Sequence, residues 1–116
     1  MSMEQTVRAK IQKHRKSPKS AEVDLRADPS VVYSIVPAET LYDLGIQPDE
    51  DTTIAMPGGT EATRRTAGAY MEVAGRSGYT RVAFGKEGDP AVLGRMALDI
   101  LALALDPNVG RLQPLT

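Results

Sequence analysis

Val7, Ala9 and Ile11 alternate with Arg8, Lys10 and Gln12, a period of two that predicts a half-buried strand from Thr6 to His14. The polar segment Arg15-Lys16-Ser17-Pro18-Lys19-Ser20 turns the chain. Ala21, Val23, Leu25 and Ala27 then alternate with Glu22, Asp24 and Arg26, the clearest strand pattern in the sequence. Pro29 has no N–H to give a ladder and closes that strand just after Asp28. The next run, Val31 to Val36, is apolar and β-branched, which predicts a strand buried on both faces and leaves Asp28 between two core strands. Pro37 at a helix start, Leu41 and Leu44 three apart, and Gly45 after the last turn predict a helix of about two turns.

Beyond the polar loop from Gln47 to Asp51, strands from Thr52 to Met56 and from Ala62 to Val73 flank Pro57-Gly58-Gly59-Thr60-Glu61, a glycine-rich hairpin tip. Gly75-Arg76-Ser77-Gly78 turns into a strand from Tyr79 to Phe84, and Ala91 to Leu93 forms a short apolar strand. A second helix runs from Arg95 to about Ala102. Leu103 and Leu105, then Asp106-Pro107-Asn108-Val109-Gly110, then Leu112 and Leu115 predict a closing hairpin. Many short strands, two short helices and no alternation of strand and helix describe one all-β domain over residues 6–115, a closed or partly open barrel.

Composition narrows the chemistry. The 116 residues suffice for one core, and 41% hydrophobic with 25% charged residues is a globular balance. With no cysteine there is no disulfide frame and no thiolate chemistry. The first residues lack a signal-peptide core and no window reaches a membrane span, so a soluble cytoplasmic protein without a membrane partner is expected. Net charge is −1, yet Arg8, Lys10, Lys13, Arg15, Lys16 and Lys19 cluster. No aromatic residues interleave with them in sequence, so the cluster reads as a solvated strand edge and turn, and a nucleic-acid partner is not expected. His14 is the only histidine, Asp49-Glu50-Asp51 lacks the ligand alternation of a calcium loop, and Gly58-Gly59 is not followed by the Lys-Ser/Thr of a phosphate loop. Neither a metal nor another cofactor is expected.

Asp28-Pro29-Ser30 by itself reads as a turn, since Asp before Pro commonly starts one. Its context says more. An apolar strand enters Asp28, a second leaves it, Pro37 follows nine residues later, and Leu93-Gly94-Arg95 opens the last helix. This order resembles the retropepsin-like aspartic proteases over almost the whole chain. The resemblance implies an acid-protease barrel, with Asp28 at the catalytic position and the hairpin around Gly58 and Gly59 as a substrate-covering flap. The same hairpin read without the resemblance is an ordinary surface hairpin. The resemblance also implies that Gly94 lets the returning loop pass close behind the Asp28 turn, with Ser30 and Arg95 supporting it. Since an aspartic protease needs two carboxylates and the pattern occurs once, it implies a homodimer with one Asp28 from each subunit.

The chain departs from that family at the turn. The family writes Asp-Thr-Gly or Asp-Ser-Gly, whereas Pro29 offers neither hydroxyl nor N–H, and Ser30 stands where the glycine would. Val32 stands where some members place a carboxylate for the helix arginine, so Arg95 is expected to pair with Asp99 one turn on. Two functions follow as expectations: a dimeric peptidase acting through paired Asp28, or a catalytically impaired relative that binds peptides or proteins as a dimer.

Overall fold

The computed structural model describes residues 6–106 and 111–115. They form nine strands and two short helices: β1 (Thr6–Gln12), β2 (Ala21–Ala27), β3 (Ser34–Pro37), α1 (Ala38–Asp43), β4 (Glu50–Ala55), β5 (Glu61–Val73), β6 (Arg76–Gly85), β7 (Val92–Leu93), α2 (Arg95–Ile100), β8 (Leu103–Asp106) and β9 (Arg111–Pro114). The mostly β class and both helices agree with the sequence reading. Pro107 to Gly110 of the expected closing hairpin lie outside the described residues, but β8 and β9 pair antiparallel, with Leu105 opposite Leu112.

Seven strands make one sheet in the order β1-β2-β7-β3-β6-β5-β4, and β1 also pairs with β5, so six of them close into a ring with β4 attached outside it. β1 is therefore not a sheet edge: it lies between β2 and β5, which corrects the edge reading of its basic residues. Two pairings are parallel, β2 with β7 and β3 with β6, among otherwise antiparallel ones. Neither was legible as a βαβ pattern, because the segments joining these parallel partners contain strands and whole hairpins instead of a single crossover helix.

Several boundaries shift for local reasons. β1 stops at Gln12, because His14 enters a turn in which its N–H donates to Ser17 Oγ (3.0 Å) and its carbonyl accepts from Ser17 N (3.0 Å). The β5–β6 turn falls at Ala74-Gly75, both at positive φ (52° and 79°), so Arg76 already pairs with Val73. α1 ends as its glycine predicts: Gly45, at φ +80°, donates to Tyr42 O, and Ile46 donates back to Leu41 O. α2 ends at Ile100, two residues short of expectation, with Ala102 taking the left-handed position (φ 54°) where glycine is usual.

The interior divides in two. A larger cluster, including Ile11, Leu25, Leu41, Met71, Phe84 and Leu98, fills the ring beneath both helices. A smaller one joins Val31, Ile35 and Val92 to Ala83 and to Ile54 and Met56, with Tyr33 and Ala62 packed against it. Burying such a side chain contributes roughly 1.5–3 kcal/mol, so this second cluster ties the segment after Asp28 to the β4–β5 hairpin.

Candidate active site

β2 delivers Asp28 to the site. Glu22, Asp24, Arg26 and Asp28 follow one another at a spacing of two, opposite the buried Leu25 and Ala27. The Asp28 N–H donates to Leu93 O (2.9 Å), so β7 holds the backbone as β2 ends. Pro29 and Ser30 then form the turn, and Val31 N returns to Asp28 O (3.3 Å).

The carboxylate is held from two sides. Ser30 donates its N–H (3.0 Å) and its hydroxyl to the same oxygen, Oδ1. The other oxygen, Oδ2, faces the Arg26 guanidinium at 3.6 Å, with the Asp28 side chain 20% and the Arg26 side chain 31% exposed. A gap of 3.6 Å exceeds a hydrogen bond, so charge links the two groups across it. Ser30 thus supplies two donors to the carboxylate.

Val31 to Tyr33 form no strand, against expectation; β3 begins only at Ser34. The carbonyls of Val31 and Val32 accept instead from the first N–H groups of α2, those of Arg95 (2.8 Å) and Met96 (3.0 Å). They satisfy donors that a helix start leaves unpaired, and the backbone cannot at the same time join a ladder. Val31 is buried, while Val32 is 36% exposed. The expected double-sided burial fails at Val32 for that reason.

Gly94 sits where only glycine fits. A Cβ there would lie 2.6 Å from Val32 O and from the Tyr33 carbonyl carbon. Its N–H donates to the buried Ser34 Oγ (2.9 Å), and its carbonyl accepts from Leu98 N (3.1 Å). The loop before α2 therefore passes directly behind the segment that follows Asp28. Arg95 contributes its backbone N–H, but its exposed side chain makes no ion pair with Asp99, correcting that expectation: α2 sets Arg95 toward solvent, where such a pair gains little.

The β4–β5 hairpin projects beyond the ring. Glu61 to Arg65 pair only with β4, and β6 joins β5 from Thr66 onward. At its tip Gly58 and Gly59 are exposed at φ +97° and +98°, held by Gly59 N to Met56 O (2.9 Å) and Met56 N to Thr60 O (2.7 Å). A Cβ at either glycine meets nothing within 4 Å, so backbone conformation, not crowding, favours glycine there.

Arg64, at the base of this hairpin, clamps Asp89 of the β6–β7 loop with Nε to Oδ2 (2.8 Å) and Nη2 to Oδ1 (2.9 Å), both side chains nearly buried. The Arg64 hydrogen bonds hold the Asp89 carboxyl below the usual carboxylate range; burial opposes them and the Lys86 N–H assists. Arg81 similarly grips Asp49 (2.6 and 3.1 Å) and lowers its pKa, at an exposed position. Neither clamp nor the Arg26–Asp28 pair was anticipated from sequence. The spacing of two between Arg26 and Asp28 was the available signal for the latter; the clamps join residues 25 and 32 apart and left none.

Two adjoining cavities of about 400 and 460 Å3 share Ala38 and Lys86 beside α1, and neither is lined by Asp28, Ser30 or Arg26. Among the described residues no group of three potential ligands gathers to hold a metal, and no helix is long and apolar enough to cross a membrane. His14 stays in its exposed turn. Of the residues singled out in sequence, Asp28, Ser30 and Gly94 come together with the backbone of Arg95, while Gly58 and Gly59 occupy the tip of a separate hairpin. Compared with known families and curated proteins, the chain matches no family model and no curated protein.

Proposed function

We propose that this chain is a retropepsin-like subunit that acts as a homodimer, hydrolysing peptide bonds with a water held between two Asp28 carboxylates. The observation that carries this reading is the Asp28 turn. A partly exposed carboxylate stands just past the end of a core strand, takes two donors from Ser30 on one oxygen, and is backed by the close pass at Gly94. One such carboxylate is half a dyad, and a two-fold axis through the turn supplies the other.

In that dimer the two like charges share one proton. The ionised Asp28 takes a proton from the water as its oxygen attacks the peptide carbonyl, and the protonated Asp28 gives its proton to the carbonyl oxygen. Ser30 keeps each carboxylate oriented. The β4–β5 hairpin, anchored at its base by Arg64 and Asp89, covers an extended peptide and excludes water. Arg95 serves through its backbone rather than its guanidinium.

A second reading, a dimer that binds peptides without turnover, is favoured by two specific features. Pro29 removes the hydroxyl that would brace the paired turns, and the Arg26 guanidinium stands 3.6 Å from Asp28 Oδ2, next to where the water would be held. Incubation with a mixed peptide library at mildly acidic pH separates the two. Cleavage by the wild type that Asp28→Asn abolishes, with the dimer intact, supports the peptidase. A silent wild type whose Pro29→Thr/Ser30→Gly variant gains Asp28-dependent cleavage supports the binder. If neither cuts, the hydrolytic reading falls.

A further inference from the structure

We propose that the basic turn at residues 13–19, with Tyr79 and Tyr70 beside it, binds single-stranded nucleic acid. In sequence no aromatic residue interleaves with these cations, and a nucleic-acid partner is not expected on that ground; the fold brings two rings to them. The Arg15 N–H donates to the Tyr79 hydroxyl (3.0 Å) across 64 residues of chain, and Tyr79 meets Tyr70 edge to face at 4.9 Å between ring centroids. Tyr79 stays 54% exposed, so its ring is open to stacking. The Tyr70 hydroxyl donates to Ser77 Oγ (2.8 Å), which fixes the second ring. The turn is itself built onto the fold: Gln12 Nε2 donates to Ser17 O (2.9 Å), and Lys19 Nζ donates to Asp43 O (3.1 Å). Its backbone is therefore in place before a ligand arrives, which lowers the ordering cost of binding. This surface shares no residue with the Asp28 turn and stands whichever reading of that turn holds.

The charges select an anion. Lys13, Arg15, Lys16 and Lys19 are exposed, and among the described residues none of the four forms a salt bridge. Lys19 reaches α1 through a carbonyl rather than a carboxylate. The rest of β1 adds no surplus, because Lys10 stands opposite Glu22 on β2 and Glu72 on β5, and Arg8 is held by Asp24 at 3.0 Å with Glu22 at 3.9 Å. Four cations without a paired carboxylate thus stand beside an open aromatic ring, in a chain whose net charge is −1. A single strand answers both features: its phosphates meet the turn, and an unstacked base has a flat face for Tyr79. A duplex keeps its bases stacked inside, and an acidic peptide offers no such faces. A lipid surface would call for large apolar side chains next to the cations, and residues 13–20 contain none.

The test is fluorescence anisotropy on the full chain with labelled oligo-dT and oligo-U strands of about twelve nucleotides, a length that one single-strand site spans. Four neutralised phosphates predict that affinity falls about 50-fold between about 50 and 200 mM salt, and only about sevenfold in Lys13→Gln/Lys16→Gln. Lys13→Arg/Lys16→Arg keeps the charge and should keep the wild-type salt response. Tyr79→Ala should weaken binding at least about fivefold, whereas Tyr79→Phe, which keeps the ring and loses only the hydroxyl, should stay within about twofold of wild type. A duplex of the same length, and poly-glutamate of matching charge, should each bind at least about fivefold more weakly than the better strand. Circular dichroism of each variant shows that the fold survives. Ring-dependent binding confined to one of the two strands upholds the inference and names the nucleic acid. Binding of neither strand, equal affinity for duplex or poly-glutamate, a Tyr79→Ala variant that binds as wild type, or binding only to phosphatidylserine-containing vesicles overturns it.

Discussion

At the scale of single residues, the Asp28 turn rests on two side chains with opposite demands. Ser30 is useful for what it adds, a second donor on Oδ1, and Gly94 for what it omits. Gly94→Ala would force a Cβ to within 2.6 Å of backbone atoms that cannot swing aside. It should destabilise the protein by about 3 kcal/mol, measured by urea unfolding. Ser30→Ala removes only the hydroxyl and leaves the N–H bond, so its unfolding free energy should fall by about 1 kcal/mol or less. A cost for Ser30→Ala equal to that of Gly94→Ala would show that the hydroxyl, not the close pass, holds the turn.

At the scale of elements, legibility followed periodicity. β2 agrees with expectation residue for residue because one of its faces is buried and the other polar. The Val31 to Val36 run misled because composition reports burial, not which donors the backbone serves; Val31 and Val32 serve α2, far along the chain. The β5–β6 turn was misplaced for a related reason: Ala74 adopts a glycine-like conformation, and two glycines nearby drew the turn toward themselves. Ala74→Gly should therefore stabilise the protein by about 0.5–1 kcal/mol, read as a rise in the urea midpoint, since the relief of a left-handed alanine outweighs the looser unfolded chain. The Arg64–Asp89 clamp joins the projecting hairpin to the β6–β7 loop, and its pH dependence has a definite sign. The folded Asp89 pKa lies below its unfolded value, so the stabilisation is fully present above about pH 4 and fades as pH falls through the folded value. Asp89→Asn should cost about 2 kcal/mol at neutral pH, and the difference from wild type should shrink steadily on acidification below about pH 4. A difference independent of pH would show that the clamp acts by packing alone.

At the scale of the whole molecule, the ring of strands, its projecting hairpin and the Asp28 turn belong to one chain, whereas the proposed dyad takes its second carboxylate from a second copy. The strand pattern made the mostly β class, and the place of Asp28 just past the end of β2, readable in the sequence. The charge environment of Asp28 was not, because Arg26 was read only as the polar half of a strand alternation. Assembly is the claim on which the proposed chemistry depends, and a chain without cysteine permits a clean test of it. Asp28→Cys places one thiol at the proposed two-fold axis, where a disulfide or a short bifunctional thiol reagent can join two subunits only if these residues meet. The measurement is the fraction of covalent dimer formed at low micromolar protein concentration, against a Glu39→Cys control on the exposed side of α1. If two Asp28 residues meet across the dimer, Asp28→Cys cross-links rapidly and reductant-reversibly while the control does not; a protein that sediments as a monomer and leaves both thiols unlinked rules that dimer out.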